Sequence, residues 1–321
     1  MPYLIGTDEA GYGPSLGPLV VAASAWEVPP ETPAESLYER LEKVVTAAVS
    51  ADDGRLPMAD SKVLYKAGSG LAVLERSVLC ALAVAGSPAR KWRELWTAVV
   101  HRGETCERFD SLPWHEEFDQ ELPVDSTVDL VTAALQFLEA GLAGAKVRLL
   151  ALTATAVFPQ EFNDLVAQTD SKGEALSLTT LRLVERVLNL LPAGNVQVTC
   201  DKHGGRDRYA ALLQHIFPDS LLSVRCEGRD ESTYRISYQG RQVAFHFLAK
   251  GERLLPTALA SMLAKYLREL AMKPFNEFWQ RHIPGLRPTA GYPEDALRFR
   301  GEIAATQKQL GISHDVLWRC R

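Results

Sequence analysis

The chain has 321 residues, 46% of them hydrophobic and 23% charged, which is ordinary for a globular protein of one large or two smaller domains. Its five cysteines form no CxxC pair, which argues against disulfides and structural zinc, and its net charge of −5 lacks the basic bias usual in nucleic-acid-binding proteins. We find no run of about 18 uninterrupted apolar residues and no signal-peptide pattern, so we expect a cytoplasmic protein without a membrane partner.

The opening of the chain predicts a β-hairpin, with strands over residues 3–7 and 18–26 joined by a loop rich in Gly and Pro. Residues 221–249 alternate apolar and polar side chains around Gln239-Gly240, which indicates one or two antiparallel strands. In chain order, the other predicted elements are helices over 34–49 and 70–85, a mainly helical insert over 88–145, a strand over 146–156, a helix over 174–191, a strand over 195–201, and helices over 206–217, 254–272 and 293–310. This order indicates an α/β fold, a mixed β-sheet flanked by helices.

The first candidate site is Gly6-Thr7-Asp8-Glu9-Ala10-Gly11-Tyr12-Gly13-Pro14, where two adjacent carboxylates follow a buried strand. Such a pair is costly to bury unless cations or donors receive it, and Mg²⁺ prefers carboxylate oxygen. Gly11, Gly13 and Gly17 let the backbone approach a ligand and offer amide groups to a phosphate. A solvated hairpin turn is the simpler interpretation, but the close succession of strand, acids, glycines and strand disfavours it.

A third acid, Asp201, ends the strand predicted over 195–201 and is followed by glycines and by the basic cluster at 202–208. Taken alone it fits a turn or a helix cap, and the ligand interpretation gains from the similar arrangement at Asp8. A fourth acid, Glu252, precedes the helix over 254–272. It is equally compatible with a metal ligand and with a first-turn acid favoured by the helix dipole.

Four carboxylates that converge from strand ends would suit two-metal hydrolysis of a phosphodiester, in which one ion generates hydroxide and the other stabilises the leaving oxygen. The sequence offers no Cys/His pairing and no GxxxxGK[ST] phosphate loop. The basic clusters at 202–208 and 265–273 suit contact with phosphates.

These motifs resemble those of the ribonuclease HII family, in the family's order from residue 3 to 321. The segment GTDEAGYGPSLGPLVVAASAW is similar to the family's opening, Gly-x-Asp-Glu-Ala-Gly-Arg-Gly-Pro followed by Gly-Pro and a small-residue strand. The further matches are ADSKVL at 59–64 with Asp-Ser-Lys-x-Leu, VTCD at 198–201 with the strand of the third acid, KGERLLPTALASMLAKYLRE at 250–269 with Lys-x-Asp and an Ala-Ala-Ser-x-x-Ala-Lys helix, and PTAGYPEDALRF at 288–299 plus the closing WRCR with the Gly-Tyr motif and last helix.

The resemblance implies an RNase H-like catalytic domain over 1–272, with the insert at 88–145, and a C-terminal helical substrate-binding module over 273–321. It implies that a monomer cleaves the RNA strand of an RNA/DNA hybrid or another RNA-containing duplex with two Mg²⁺ or Mn²⁺ ions. The implied metal ligands are Asp8, Glu9, Asp201 and Glu252, and the implied substrate contacts are Gly11, Tyr12, Gly13, Lys62, Lys265 and Tyr292.

The chain departs from the family's pattern in two places. Tyr12 replaces the arginine of Gly-Arg-Gly, which removes a bidentate phosphate contact beside the backbone groups that read the ribose 2′-hydroxyl. Glu252 replaces an aspartate, and its longer side chain shifts the fourth carboxylate. The relaxed opening motif is closer to ribonuclease HIII and indicates a divergent branch.

Two other functions are compatible with parts of the sequence. A nucleic-acid-binding protein of this fold without catalysis is disfavoured because all four carboxylates are present. A phosphotransferase of the sugar-kinase and actin-like group shares a Gly-x-Asp hairpin but needs a duplicated domain, and the chain has no internal repeat. The spacing Gly11-Tyr12-Gly13 with Gly17 excludes a dinucleotide-binding fingerprint.

Overall fold

A computed structural model describes residues 2–49, 53–65, 70–100 and 109–320 of the chain. In these ranges, seven strands form one mixed sheet and two short strands pair separately. The strands are β1 Tyr3–Ala10, β2 Leu19–Glu27, β3 Val45–Thr46, β4 Leu56–Pro57, β5 Arg148–Val157, β6 Val196–Asp201, β7 Leu222–Glu227, β8 Glu231–Tyr238 and β9 Arg241–Leu248.

The order of the main sheet is β5-β2-β1-β6-β9-β8-β7. The first two strands form the predicted antiparallel hairpin, while β1 pairs with β6 and β6 pairs with β9 in parallel. β2 is buried along nearly its whole length, which explains its continuous apolar sequence.

Helices cover both faces of the sheet. They are α1 Leu37–Arg40, α2 Ser61–Leu64, α3 Ala72–Val84, α4 Trp92–Val99, α5 Val128–Ala145, α6 Pro159–Thr169, α7 Lys172–Leu190, α8 Ala210–Ile216, α9 Leu255–His282, α10 Pro293–Gln309 and α11 His314–Leu317. On one face, α9 packs with Leu4 and Ala22, and on the other α7 packs with Ile5 and Val21. The α/β class, a mixed sheet flanked by helices with a helical C-terminal part, is thereby confirmed.

Gly6 fixes how closely α9 approaches the sheet. A Cβ atom at this position would lie 2.1 Å from the carbonyl carbon of Pro256, so no other residue fits without moving the helix. Ser24 on the neighbouring strand donates a 2.7 Å hydrogen bond to the Pro256 carbonyl. The start of α9 is thus held against the strand that carries the first two acids.

Some predicted boundaries are wrong. The helix expected over 34–49 stops at Arg40, because the β-branched pair Val45–Thr46 leaves the helix and pairs with β4. The region 221–249 holds three strands rather than one or two, and the Gln239-Gly240 turn between the last two has φ values of 48° and 76°. The helix α6 was not predicted.

The insert at 88–145 contains α4 and α5, and its residues 101–108 lie outside the described part of the chain. Within the described residues, α5 alone is long and apolar enough to cross a membrane by length and composition, with a mean hydropathy of 1.3. Only Leu138 and Leu142 of this helix are buried. The division of the chain at residue 272 stays a prediction, and α9 continues across that position to His282.

Candidate active site

Asp8 and Glu9 lie inside β1 rather than after it. The strand was expected to end at Thr7, but its pairing with β2 continues to Ala10, while its pairing with β6 stops at the Thr7/Cys200 pair. Successive side chains of a strand point to opposite faces. Asp8 therefore points toward α9 and Glu9 toward α7.

The parallel register brings a third acid beside the first two. β6 ends at Asp201, one position beyond the Thr7/Cys200 pair. The Oδ1 atom of Asp201 accepts a 2.9 Å hydrogen bond from the backbone N–H of Gly251. A Cβ on Gly251 would lie 3.2 Å from the Asp201 nitrogen, so the small residue keeps the two segments close.

Glu252 follows Gly251 directly and lies in the 3-10 helix Gly251–Arg253, ahead of the first residue of α9. It therefore precedes that helix instead of capping its first turn. Its Oε2 atom is buried and has no hydrogen-bond partner among the described residues. Since buried polar atoms in folded proteins are nearly always hydrogen-bonded, this oxygen is suited to receive a ligand.

The acids interact electrostatically. Burial raises the pKa of Asp8 to about 7, with a further rise from the charge of Asp201 and an opposing hydrogen bond from Ser261. Burial also raises the pKa of Glu9 well above its usual value, and Asp8 and Asp201 add to that rise. The pKa of Glu252 is raised by burial and then by Asp201. Like charges held together in this way favour the uptake of cations.

Lys62 places a cation beside this cluster. Burial lowers its pKa, but Asp60, Asp8 and Glu252 outweigh burial and raise it. The segment before it is fixed because the Asp60 carboxylate accepts the Lys62 N–H at 3.1 Å and caps α2. The element ADSKVL thus brings an ammonium group to the acids, and the role of Lys62 as a substrate contact stays a prediction.

Ser261 connects this segment to the acids. Its hydroxyl lies 3.0 Å from that of Ser61, and its hydrogen bond to Asp8 lowers the pKa of that carboxyl. The sequence analysis did not single out Ser261 as a residue of the site. Asp60, whose charge raises the pKa of Glu252, was likewise missed as a neighbour of the site. The sequence signal that could have identified them is that Asp60 belongs to the ADSK motif and Ser261 to the ASMLAK motif.

Two buried arginines hold the glycine loop. Arg319 donates to the carbonyls of Gly11 and Gly17, the latter at 2.9 Å, and Arg268 donates to the carbonyl of Leu16 at 3.2 Å. Both side chains are at least 95% buried, and burial lowers the pKa of Arg319 to about 9, with a further lowering from Arg268. Gly11 has φ +89°, and a Cβ there would lie 2.6 Å from Arg268 Nε, so only glycine fits.

The middle of this loop is turned outward. Gly13 is exposed, and a Cβ there would meet nothing within 4 Å, so its backbone is open to a ligand. Tyr12 is half-buried, and its pKa is raised by burial and by Glu9 and lowered by Arg206. These two residues thus border the acidic cluster on the α7 side.

The last two expected substrate contacts lie apart from each other. Tyr292 is 56% exposed at the start of α10, and the preceding carbonyl, of Gly291, accepts the Ser15 N–H at 2.7 Å, so the ring stands beside the glycine loop. Lys265 instead pairs with Glu269 at 2.6 Å and lies 4.5 Å from the ring of Tyr65.

A divalent ion would find oxygen ligands here and no complete shell. Among the described residues, no group of three or more His, Cys, Asp or Glu side chains is already arranged to hold a metal ion. Mg²⁺ commonly binds through one or two carboxylates, with waters and substrate phosphates completing its shell. The unpartnered Oε2 of Glu252 and the mutual repulsion of the acids fit such an ion.

No family model matches the chain, and no curated protein matches it. Among solved structures it is similar to ribonuclease H2 from Pyrococcus horikoshii OT3, with 15% identity over 98% of this chain and 92% of that chain and a TM-score of 0.44. It is similar to ribonuclease HII in the PCNA complex from Archaeoglobus fulgidus, with 17% identity over 99% and 94% and a TM-score of 0.41. It is also similar to Bst ribonuclease HIII in complex with Mn²⁺, with 15% identity over 99% and 65% and a TM-score of 0.43. At these values we base the function on the residues of the chain itself.

Proposed function

We propose that the chain is a divalent-metal-dependent endoribonuclease that hydrolyses the RNA strand of RNA/DNA hybrids. The observation that carries the proposal is the meeting of Asp8 and Asp201 on two adjacent parallel strands, with Glu9 and Glu252 beside them. The motifs shared with ribonuclease HII occur at these same positions in the sequence.

Asp8, Glu9, Asp201 and Glu252 would hold two Mg²⁺ or Mn²⁺ ions. Bound ions would supply a hydroxide at neutral pH and positive charge for the leaving oxygen. With the ions bound, the carboxylates stay ionised at neutral pH, because nearby positive charge lowers their pKa values.

The other residues would position the duplex. Lys62 places one positive charge next to the cluster, where it attracts a backbone phosphate. The outward backbone of Gly13 and the held carbonyls of Gly11 and Gly17 fix a loop that can contact a ribose. The exposed ring of Tyr292 is free to lie against a sugar or base. The cytoplasmic location and the monomeric state stay predictions.

The test is a cleavage assay of a hybrid duplex and of a duplex with a single ribonucleotide, in Mg²⁺ and in Mn²⁺. We expect cleavage of the hybrid that requires the metal and is lost in Asp8→Asn. Equal activity of Asp8→Asn would overturn the mechanism, and failure to cut either duplex would overturn the substrate. Tight binding without cleavage would instead indicate a nucleic-acid-binding protein that has lost catalysis.

A further inference from the structure

The loop after β6, residues 202–208, is held next to the acidic cluster by hydrogen bonds of its own residues. The side chain of Lys202 is only 7% exposed and donates to Asp207 at 2.9 Å and to the carbonyl of Gly228. His203 is buried, and its N–H donates to the hydroxyl of Tyr209 at 3.1 Å. The basic residues at 202–208 therefore do not all serve as phosphate contacts, because Lys202 is already bonded within the loop.

The hydroxyl of Tyr12 lies between this loop and the start of α7. A Cβ on Gly204 would lie 3.0 Å from that hydroxyl, and a Cβ on Gly173 would lie 3.7 Å from it. Gly204 also has φ +58°, a backbone conformation that favours glycine. Both the backbone conformation and the space taken by the Tyr12 hydroxyl therefore favour glycine at this position. The Tyr12 hydroxyl thus lies next to Gly173 and Gly204. Gly173 directly precedes a charged residue, and Gly204 lies two residues before another.

Those charged side chains are Arg206 and Glu174, which form an ion pair at 3.6 Å. Their side chains are 26% and 39% exposed, so the pair is long and accessible to water. Such pairs contribute at most about 1 kcal/mol, and a guanidinium can exchange one for a bidentate contact with a phosphate. Arg208, the other arginine of the loop, is 88% exposed and lies 3.8 Å from Glu227.

We propose that Arg206, held beside Tyr12, binds a backbone phosphate of the duplex outside the carboxylate cluster, and that Glu174 holds its guanidinium in the free protein. Arg206, in the loop after β6, then supplies a positive charge next to position 12, where the chain has the uncharged Tyr12. This inference rests on the proposed function, because the ligand is the same duplex. The sequence indicated phosphate contact for the cluster at 202–208 as a whole, and the inference assigns it to Arg206.

The test measures binding of a fluorescent hybrid duplex in Mg²⁺ by the full chain carrying Asp8→Asn, which prevents cleavage. In that background we expect Arg206→Gln to weaken binding roughly tenfold, as for a lost charged hydrogen bond. The slope of log affinity against log salt should fall by about 1. Arg208→Gln is the matched control and should retain the slope.

Glu174→Gln separates binding from a structural role of the ion pair. If the pair only holds the fold, both partners should weaken binding and lower the melting temperature alike. If Arg206 moves to a phosphate, Glu174→Gln should leave binding equal or tighter, since it frees the guanidinium. Equal loss in both variants would overturn the proposal.

A second substitution tests whether the position of the positive charge matters. Tyr12→Arg added to Arg206→Gln should restore the salt slope, because it returns one cation to the same place. An unchanged slope in Arg206→Gln alone would overturn this inference and leave the proposed function standing. If the Asp8→Asn chain binds no duplex at any salt concentration, the proposed function and this inference would both be overturned.

Discussion

Two buried carboxylate sites of this protein are built in opposite ways. Glu75 on α3 is fully buried and accepts hydrogen bonds from the backbone N–H groups of Val124, Asp125 and Ser126 and from the hydroxyl of Tyr266. Glu252 has a buried oxygen without a partner among the described residues and repels its acidic neighbours. A carboxylate with satisfied oxygens serves the fold, whereas one left unsatisfied among like charges is suited to bind cations.

The largest expected effect comes from Asp8→Asn. It should reduce hydrolysis of the hybrid by about 10³-fold or more, on the order of 4 kcal/mol of transition-state stabilisation. In EDTA the same change should raise the melting temperature by roughly 2–4 °C, because it removes a charge that the cluster repels. Single-turnover cleavage measures the expected loss of activity, and thermal unfolding measures the expected rise in melting temperature. A variant that loses both activity and stability would contradict the contrast with Glu75.

Glu75→Gln should do the reverse. It removes a charge that four donors receive, so we expect the free energy of unfolding to fall by about 3 kcal/mol, with little change in cleavage by the folded protein. Urea unfolding at neutral pH measures the loss. Glu139→Gln, at an exposed position of α5, is the matched control and should stay within about 0.5 kcal/mol of the parent.

Metal addition should distinguish the two sites directly. At about 100 times its dissociation constant, Mn²⁺ should stabilise the parent by about 2.7 kcal/mol, since it binds the folded protein. Glu252→Gln should reduce this stabilisation by Mn²⁺. Glu75→Gln should retain all of it, although its free energy of unfolding without the metal is lower than that of the parent. An equal metal response in the parent and in Glu252→Gln would remove Glu252 from the ligand set.

The smallest effect expected at neutral pH concerns His203, a buried titratable group of the opposite charge type. Burial lowers its pKa to about 3, so below pH 6.5 the unfolded chain binds a proton that the folded chain does not. The contribution of His203 to stability should therefore be full above pH 6.5 and should be lost as the pH drops toward 3. His203→Asn should flatten this dependence in urea titrations.

The mixed sheet was predictable because its strands and helices are long and periodic. The hairpin, β6 and the core of α9 fall where apolar spacing predicts them. The errors lie where local pattern is weak: the expected helix over 34–49 gives way to the pairing of Val45–Thr46 with Leu56–Pro57, and α9 passes through Pro274 because tertiary packing supports it.

The sequence by itself determined which residue types could form the site: Asp8, Glu9, Asp201 and Glu252 each follow a strand-like run or precede a helix in a recognisable motif. Only the tertiary structure decided their neighbours. The β1–β6 register places Asp201 beside Asp8, and Gly251 brings Glu252 to them. Contacts between residues hundreds of positions apart, such as that of Arg319 with Gly17, leave no local pattern in the sequence, because packing and register create them only once the chain is folded.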